Sequence, residues 1–272
     1  MKHNTSKIFG LFLCFVTIGC IYSLVSAKIP PDTLLGITWG NSKVVSLNPD
    51  TGSLLMTYTQ LNPKEAFTGL AYNRHTKKLY ALSQVQNNLY AIDTMTLDVS
   101  LIGRLHIQGA RPWKDANALT YDPVTQTLYT VILDWNSDQT NCRGQLAKID
   151  ASNAELTLIG KSIVGIVSAL SYHEADRQLY GLVVARAGSW DSPDKTRIVS
   201  INPMDASVHM LFETPYHTVL GLAKQPGKNM YYSWINGTTH FYGKVNVSAQ
   251  TISHLGNADK ANVISAMVYT QK

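Results

Sequence analysis

The chain has 272 residues, of which 45% are hydrophobic and 15% charged, with 18 glycines and 10 prolines. This composition excludes a disordered chain, a collagen and a coiled coil, and the length suffices for a full hydrophobic core. The formal net charge of +5 falls to +3 without residues 1–27, because 21 basic and 18 acidic residues then remain. So weak and dispersed a charge predicts no nucleic-acid partner.

The first 27 residues have the pattern of an export signal. Lys2 and Lys7 precede the apolar run 8–25, and Val25-Ser26-Ala27 places small or modest residues at a cleavage site. We therefore expect a signal peptide at 1–27 and a single mature domain at 28–272. The run is also long enough for an uncleaved membrane anchor.

A third alternative for this segment is a lipid anchor. Thr17-Ile18-Gly19-Cys20 resembles a bacterial lipobox, which would place a lipid on Cys20. All three alternatives put the remaining chain outside the cytoplasm: secreted, periplasmic or at the cell surface. We expect membrane attachment only through Cys20 or an uncleaved signal. Cys142 is the one cysteine outside the signal, so no intrachain disulfide is expected.

An internal repeat of 45 to 52 residues organises the rest of the chain. One phrase of four residues occurs five times, starting at Gly69, Ala118, Ala169, Gly221 and Ala266. A Leu-Tyr or Met-Tyr pair follows the first four copies, at Leu79, Leu128, Leu179 and Met230. Apolar runs then end in Asn or Asp before turn-forming residues, at Asn48, Asp93, Asp150, Asn202 and Asn246.

These spacings predict four short antiparallel strands per repeat, which is the pattern of one β-propeller blade. The first repeat, from Leu34, lacks its opening strand, and the chain ends with an extra copy of that strand at 263–269. We therefore predict an all-β, five-bladed propeller closed by pairing of the C-terminal strand with the first blade. Six blades are the alternative count.

The Leu-Tyr strands and the Asn48-Pro-Asp-Thr-Gly52 turn resemble the YVTN and quinoprotein-like repeat propellers over roughly residues 33–270. The resemblance implies a propeller platform and often a secreted or periplasmic location. It implies no particular activity, because members of this superfamily range from enzymes to scaffolds.

Antiparallel order predicts which connections share a face of the disc. Loops between the second and third strands of a blade emerge beside the crossovers between blades, and the two remaining kinds of turn emerge opposite. The sequence places every tryptophan in the first kind of connection: Trp39, Trp113, Trp135, Trp190 and Trp234. Exposed indoles suit contact with sugars or protein partners, so this face is the predicted ligand-binding site.

Catalytic residues in propellers are expected where the inner strands begin. Glu65, Asp115 and His217 occupy such positions and are the candidates for a glycosidase or a metal-dependent, lactonase-like hydrolase. Resemblance to five-bladed glycoside hydrolases would imply three carboxylates from different inner strands, whereas only two are present.

A weak metal motif lies between the second and third strands of the third repeat. Asp134, Asn136 and Asp138 resemble the start of a calcium loop, but Gln139 and Gln145 replace its glycine and glutamate. No motif indicates a cofactor, whose identity stays unknown. The sequence thus predicts a secreted or surface-associated binding module for a carbohydrate or an extracellular protein, rather than an enzyme, with the propeller hydrolase as the alternative.

Overall fold

The computed structural model describes residues 28–84, 86–108, 115–135, 142–184, 196–214, 216, 218–225, 228, 230–236, 239–258 and 263–271. The predicted signal peptide at 1–27 lies outside the described residues. In the described part of the chain, no helix has the length and hydropathy needed to cross a membrane.

Every named element is a β-strand. In chain order the strands are β1 (Leu34–Thr38), β2 (Lys43–Leu47), β3 (Leu54–Gln60), β4 (Phe67–Asn73), β5 (Lys78–Ser83), β6 (Asn88–Asp93), β7 (Val99–Arg104), β8 (Asp115–Asp122), β9 (Thr127–Trp135), β10 (Cys142–Ile149), β11 (Leu156–Leu158), β12 (Ile163–Val164), β13 (Ile166–His173), β14 (Gln178–Val184), β15 (Thr196–Ile201), β16 (Val208–Glu213), β17 (Thr218–Lys224), β18 (Met230–Asn236), β19 (Thr239–Asn246), β20 (Thr251–Ala258) and β21 (Ile264–Tyr269).

Within the described residues, these strands form five antiparallel sheets arranged as a β-propeller. From the inside outwards, the sheets are β21-β1-β2-β3, β4-β5-β6-β7, β8-β9-β10-β11, β13-β14-β15-β16 and β17-β18-β19-β20. The strand β12 also pairs with β10 in the third sheet. The all-β prediction and the propeller arrangement are thus confirmed.

The last strand belongs to the first sheet. β21 runs antiparallel to β1, with Leu34 opposite Tyr269 and Ile37 opposite Ala266. Next to this pair, the Thr270 backbone N–H donates to the Thr33 carbonyl at 2.9 Å. The chain ends are therefore joined through one sheet, because the first repeat lacks its own inner strand.

The hydrophobic core lies between neighbouring sheets rather than in one central mass. Five clusters of buried side chains fill these spaces, and one of them joins the fifth sheet to the first through residues such as Tyr242 and Val45. The middle strands are consequently covered on both sides; all five residues of β1 are buried. The outermost strands have one uncovered side, so β3 carries exposed residues such as Leu55 and Met56.

The inner strands approach each other closely around a narrow channel. A Cβ atom on Gly69 would lie 2.6 Å from Leu119 Cβ and 2.9 Å from its backbone nitrogen, and Gly221 meets Met267 in the same way. Glycine at these two repeat positions therefore allows the close approach. The space along the channel, lined by all five inner strands, is about 10 Å³. That volume is about the size of one water probe, so the described inner strands pack tightly against one another at this point.

Candidate binding face

Two faces of the disc follow from the strand order. The described part of the loop face comprises the connections that link second to third strands or one sheet to the next, at residues 39–42, 61–66, 84, 86–87, 105–108, 159–162, 165, 214, 216 and 263. The turn face comprises the turns 48–53, 74–77, 94–98, 123–126, 150–155, 174–177, 202–207 and 247–250. The sequence prediction of a ligand site concerns the loop face.

Trp39 is the exposed aromatic residue of the described loop face. It follows the end of β1, and 47% of its surface is exposed. Its backbone N–H donates to the Val263 carbonyl at 2.6 Å, which ties the loop to the segment before β21. The Thr38 hydroxyl accepts from the Lys43 N–H at 3.0 Å and also hydrogen-bonds the Asn41 side chain. The loop is thus held by backbone and side-chain bonds while the indole stays in contact with solvent.

Glu65 lies beside this loop, in the crossover that leads into β4. Only 7% of the residue is exposed. Its Oε1 accepts from Tyr90 Oη at 2.6 Å, from Asn62 Nδ2 at 3.0 Å and from Asn88 Nδ2 at 3.4 Å. Its Oε2 is buried and has no hydrogen-bond partner among the residues that the structure describes. Burial, followed by the hydrogen bond and charge of Glu65, raises the pKa of Tyr90.

The position of Glu65 assigns it a structural task. Its carbonyl oxygen accepts from the Ser42 hydroxyl at 2.8 Å, so the residue joins the Trp39 loop to the second sheet. A carboxylate enclosed by three donors of its own protein is poorly placed to attack or protonate a substrate. The sequence analysis named Glu65 as a catalytic candidate and did not identify its hydrogen-bond partners Asn62, Asn88 and Tyr90.

Asp115, the second predicted carboxylate, is the half-buried first residue of β8. No hydrogen bond among the described residues joins it to Glu65. The next residue is fixed by the neighbouring sheet, because the Ala116 N–H donates to Asn87 Oδ1 at 2.9 Å. His217, the third candidate, lies outside the described residues.

The structure corrects the predicted location of two tryptophans. Trp135 is the last residue of β9, and Trp234 lies within β18, whereas both were predicted in loops. The strands continue further because Trp135 lies opposite Cys142, and Trp234 opposite Phe241, in the paired registers. Tryptophan is itself a good strand former, so the indoles were not evidence of loops. Trp113 and Trp190 lie outside the described residues.

The structure also corrects the predicted location of the weak calcium motif. Asp134 belongs to β9 and lies opposite Arg143 in the register with β10, so it is not in a loop. Asn136 and Asp138 lie outside the described residues. Among the residues that are described, no group of three histidine, cysteine or acidic side chains could hold a metal ion. Cys142 is a buried residue at the start of β10.

No protein-family model matches the chain, and no curated protein sequence matches it. Solved structures do resemble it. One is a chain of the crystal structure of a nidogen/laminin complex, with a TM-score of 0.55 and 14% identity, covering 87% of this chain and 97% of that one. Another, of unknown function, comes from Bacteroides thetaiotaomicron VPI-5482, with a TM-score of 0.54 and 14% identity, covering 91% and 69% of the two chains.

These structures support the resemblance to β-propeller proteins that the sequence indicated. At 14% identity, the likeness is one of fold alone.

Proposed function

We propose that this protein is an exported five-bladed propeller that binds a protein partner through its loop face, with Trp39 as an anchor. The observation that carries the proposal is a half-exposed indole on a loop fixed by backbone and side-chain bonds. Rigid aromatic side chains lose little conformational entropy on binding, and tryptophan is enriched among residues that dominate protein interfaces. A likeness to a chain from a protein–protein complex supports a protein rather than a small ligand.

The five-bladed, closed form of the ring is part of this proposal. It is supported by the pairing of β21 with β1 and by the buried cluster between the fifth and first sheets. Truncation after residue 262 removes buried Ile264 and Met267 and leaves β1 without its inner neighbour. We expect the truncated protein to lose cooperative thermal unfolding and to aggregate. A cooperative melt at the wild-type temperature would contradict closure.

The third part of the proposal is that the protein is exported. The described fold includes the chain from Ile29, which is buried and whose N–H donates to the Thr94 carbonyl at 2.9 Å. Cleavage after Ala27 would therefore leave all of this packing in place. Mass spectrometry of the protein from its host tests the proposal: a chain beginning at Lys28 is expected. If residues 1–27 are retained, or if Cys20 carries a lipid, the protein is membrane-anchored and cleavage after Ala27 is contradicted.

The binding proposal is tested on an array of purified extracellular proteins that includes laminin and nidogen, with a glycan array in parallel. For any protein bound, Trp39→Ala should weaken affinity by about 2 kcal/mol, or roughly thirtyfold. Met204→Ala is the matched control, because Met204 is 77% exposed on the turn face. Both variants should melt as the wild type does.

Three results would overturn the proposal. One is equal binding by the wild type and Trp39→Ala. Another is an equal loss in Met204→Ala. The third is binding to glycans through Trp39 with no protein bound, which would make the loop face a lectin site instead.

A further inference from the structure

A polar cavity lies on the opposite, turn face, where the sequence predicted only scaffolding. It has a volume of about 430 Å³ and lies between the second and third sheets. That volume is within the range of pockets that hold small molecules, roughly 300–1,000 Å³. Its polar lining comprises Asn73, Tyr80, Tyr121, Gln126, Thr127, Lys148, Asp150, Ser152 and Thr157.

The Tyr121 hydroxyl is a buried polar group in the wall of this cavity. Only 7% of Tyr121 is exposed; the Asn73 side chain lies within hydrogen-bonding reach, but no acceptor for the Tyr121 proton is found among the described residues. The corresponding tyrosine of the next sheet, Tyr172, has an acceptor instead, because the charge and hydrogen bond of the Asp122 carboxylate contribute to raising its pKa. A buried hydroxyl without a partner is costly and therefore uncommon.

The difference comes from the first residue of the preceding turn. Before Tyr172 that residue is Asp122, whose Oδ2 accepts from the Thr125 hydroxyl and whose carboxylate also serves Tyr172. Before Tyr121 it is Asn73, whose Oδ1 already accepts the N–H groups of His75 and Thr76. The Asn73 amide nitrogen lies near Tyr121 but has only hydrogens to offer. Among the described residues, the proton of Tyr121 therefore has no acceptor.

The remaining lining groups favour an uncharged ligand. Lys148 and Asp150 contribute one positive and one negative charge, so neither an anion nor a cation is preferred overall. The Ser152 side chain and backbone N–H both donate to Asp150 and lower its pKa, which keeps the carboxylate charged and able to accept. Hydroxyl and amide groups of Gln126 and Thr157 complete a set of mixed donors and acceptors.

We propose that this cavity binds a neutral polyhydroxylated molecule the size of one saccharide unit, with a ligand oxygen accepting from the Tyr121 hydroxyl. Sugar hydroxyls both donate and accept, which matches the mixed lining and supplies the missing acceptor. The site lies on the face opposite Trp39, so it is independent of the protein-binding function proposed above.

The test uses the whole mature protein and four probes measured singly: D-glucose, D-galactose, D-mannose and N-acetyl-D-glucosamine. Binding is measured by ligand-observed saturation-transfer NMR and titration. We expect at least one sugar to bind, and Tyr121→Phe to weaken that binding about tenfold, the effect of one lost hydrogen bond. Tyr121→Phe should nearly keep the wild-type melting temperature, because its hydroxyl donates to no acceptor in the described protein.

Tyr172→Phe is the matched control, because it removes the same atom at the same repeat position in the next sheet. It should lower the melting temperature through the lost bond to Asp122 and leave sugar binding unchanged. Thr157→Trp, on an exposed strand position, should block the cavity and abolish binding without unfolding.

The proposal is overturned if none of the four sugars binds or if Tyr121→Phe binds as tightly as the wild type. It is also overturned if Tyr121→Phe destabilises the protein as much as Tyr172→Phe, because the hydroxyl would then have a protein acceptor. Binding that survives Thr157→Trp would place the sugar elsewhere.

Discussion

The two faces of the disc are ordered by different kinds of contact. On the turn face, each turn from third to fourth strand begins with Asn or Asp, whose side-chain oxygen accepts a backbone N–H two or three residues later. Four residues after that Asn or Asp, each turn has a left-handed residue. These positions are Gly52, Leu97, Ala154, Ala206 and Gln250. The same hydrogen bond and the same left-handed position therefore recur in all five turns.

The described loop face repeats less: Ser42 and Asn87 both have a positive φ directly before a third strand, and their carbonyls accept from the Leu61 and Leu105 N–H groups. Its side-chain contacts differ between repeats and join residues distant in the chain, such as Ser42 to Glu65 and Glu65 to Tyr90. Because the turns are local and repeated, a change in one of them should affect stability little. Long-range contacts that are not repeated make stability depend on a few side chains. The loop face is therefore the one on which this protein can have a binding surface different from those of other propellers.

We expect the largest loss of stability from a substitution at Glu65 on the loop face. Glu65→Ala leaves Tyr90, Asn62 and Asn88 without their shared acceptor, so we expect a loss of about 2–3 kcal/mol in the free energy of unfolding. Chemical denaturation measures it. A loss below about 1 kcal/mol would show that the face does not depend on this carboxylate.

A double-mutant cycle makes this test specific. Tyr90→Phe and Glu65→Ala should be strongly non-additive, because both remove the same hydrogen bond of 2.6 Å. The cycle separates this bond from the general effect of truncating a buried side chain. Additive losses would mean that the two residues contribute independently.

A smaller effect is expected on the turn face, at Tyr172. Burial, and then the charge and hydrogen bond of Asp122, raise the pKa of Tyr172 to about 12. Because the folded value exceeds the unfolded value of about 10, this contribution is complete below pH 10 and is lost as the pH rises through 12. Tyr172→Phe should cost about 1 kcal/mol at neutral pH.

The pH dependence provides the control for that substitution. The stability difference between the wild type and Tyr172→Phe should shrink between pH 10 and 12, as measured by denaturation at each pH. A difference that stays constant over this range would assign the loss to packing rather than to the hydroxyl. Burial, followed by the charges of Tyr80 and Asp122, also raises the pKa of Tyr121, so Tyr121→Phe should show a change in the same direction but a smaller one.

Much of the fold could be predicted from the sequence because the information is local and repeated. The Asn or Asp at each turn, the small residue at each inner strand and the displaced strand at 263–269 all follow from spacing. The structure places these residues as the repeat requires: Asn48 and Asp93 begin turns, and β21 pairs with β1.

The sites were harder to predict because they depend on contacts across sheets. Nothing in the local sequence indicates that Tyr90 reaches Glu65, since one lies in β6 and the other in the crossover before β4. The turn-face cavity was missed for a related reason: it depends on asparagine at 73 where the next repeat has aspartate at 122, a difference that a search for similarity passes over. Trp135 and Trp234 were assigned to loops because strand ends are set by pairing, which the sequence shows poorly.

The smallest expected change in stability comes from replacing one residue on each face by glycine. Gln250 on the turn face and Ser42 on the loop face both have a positive φ, of 52° and 54°. Glycine relieves that strain but adds freedom to the unfolded chain, so Gln250→Gly should stabilise the protein by only about 0.5 kcal/mol. Ser42→Gly relieves the same strain but loses the 2.8 Å bond from the Ser42 hydroxyl to the Glu65 carbonyl, and should therefore destabilise by about 1 kcal/mol. Urea denaturation of the two variants, with Gln250→Ala as a control that keeps the strained Cβ, measures both. If the two glycine variants changed stability in the same direction, the loop face would follow the same local rule as the turn face, and the distinction between them would be wrong.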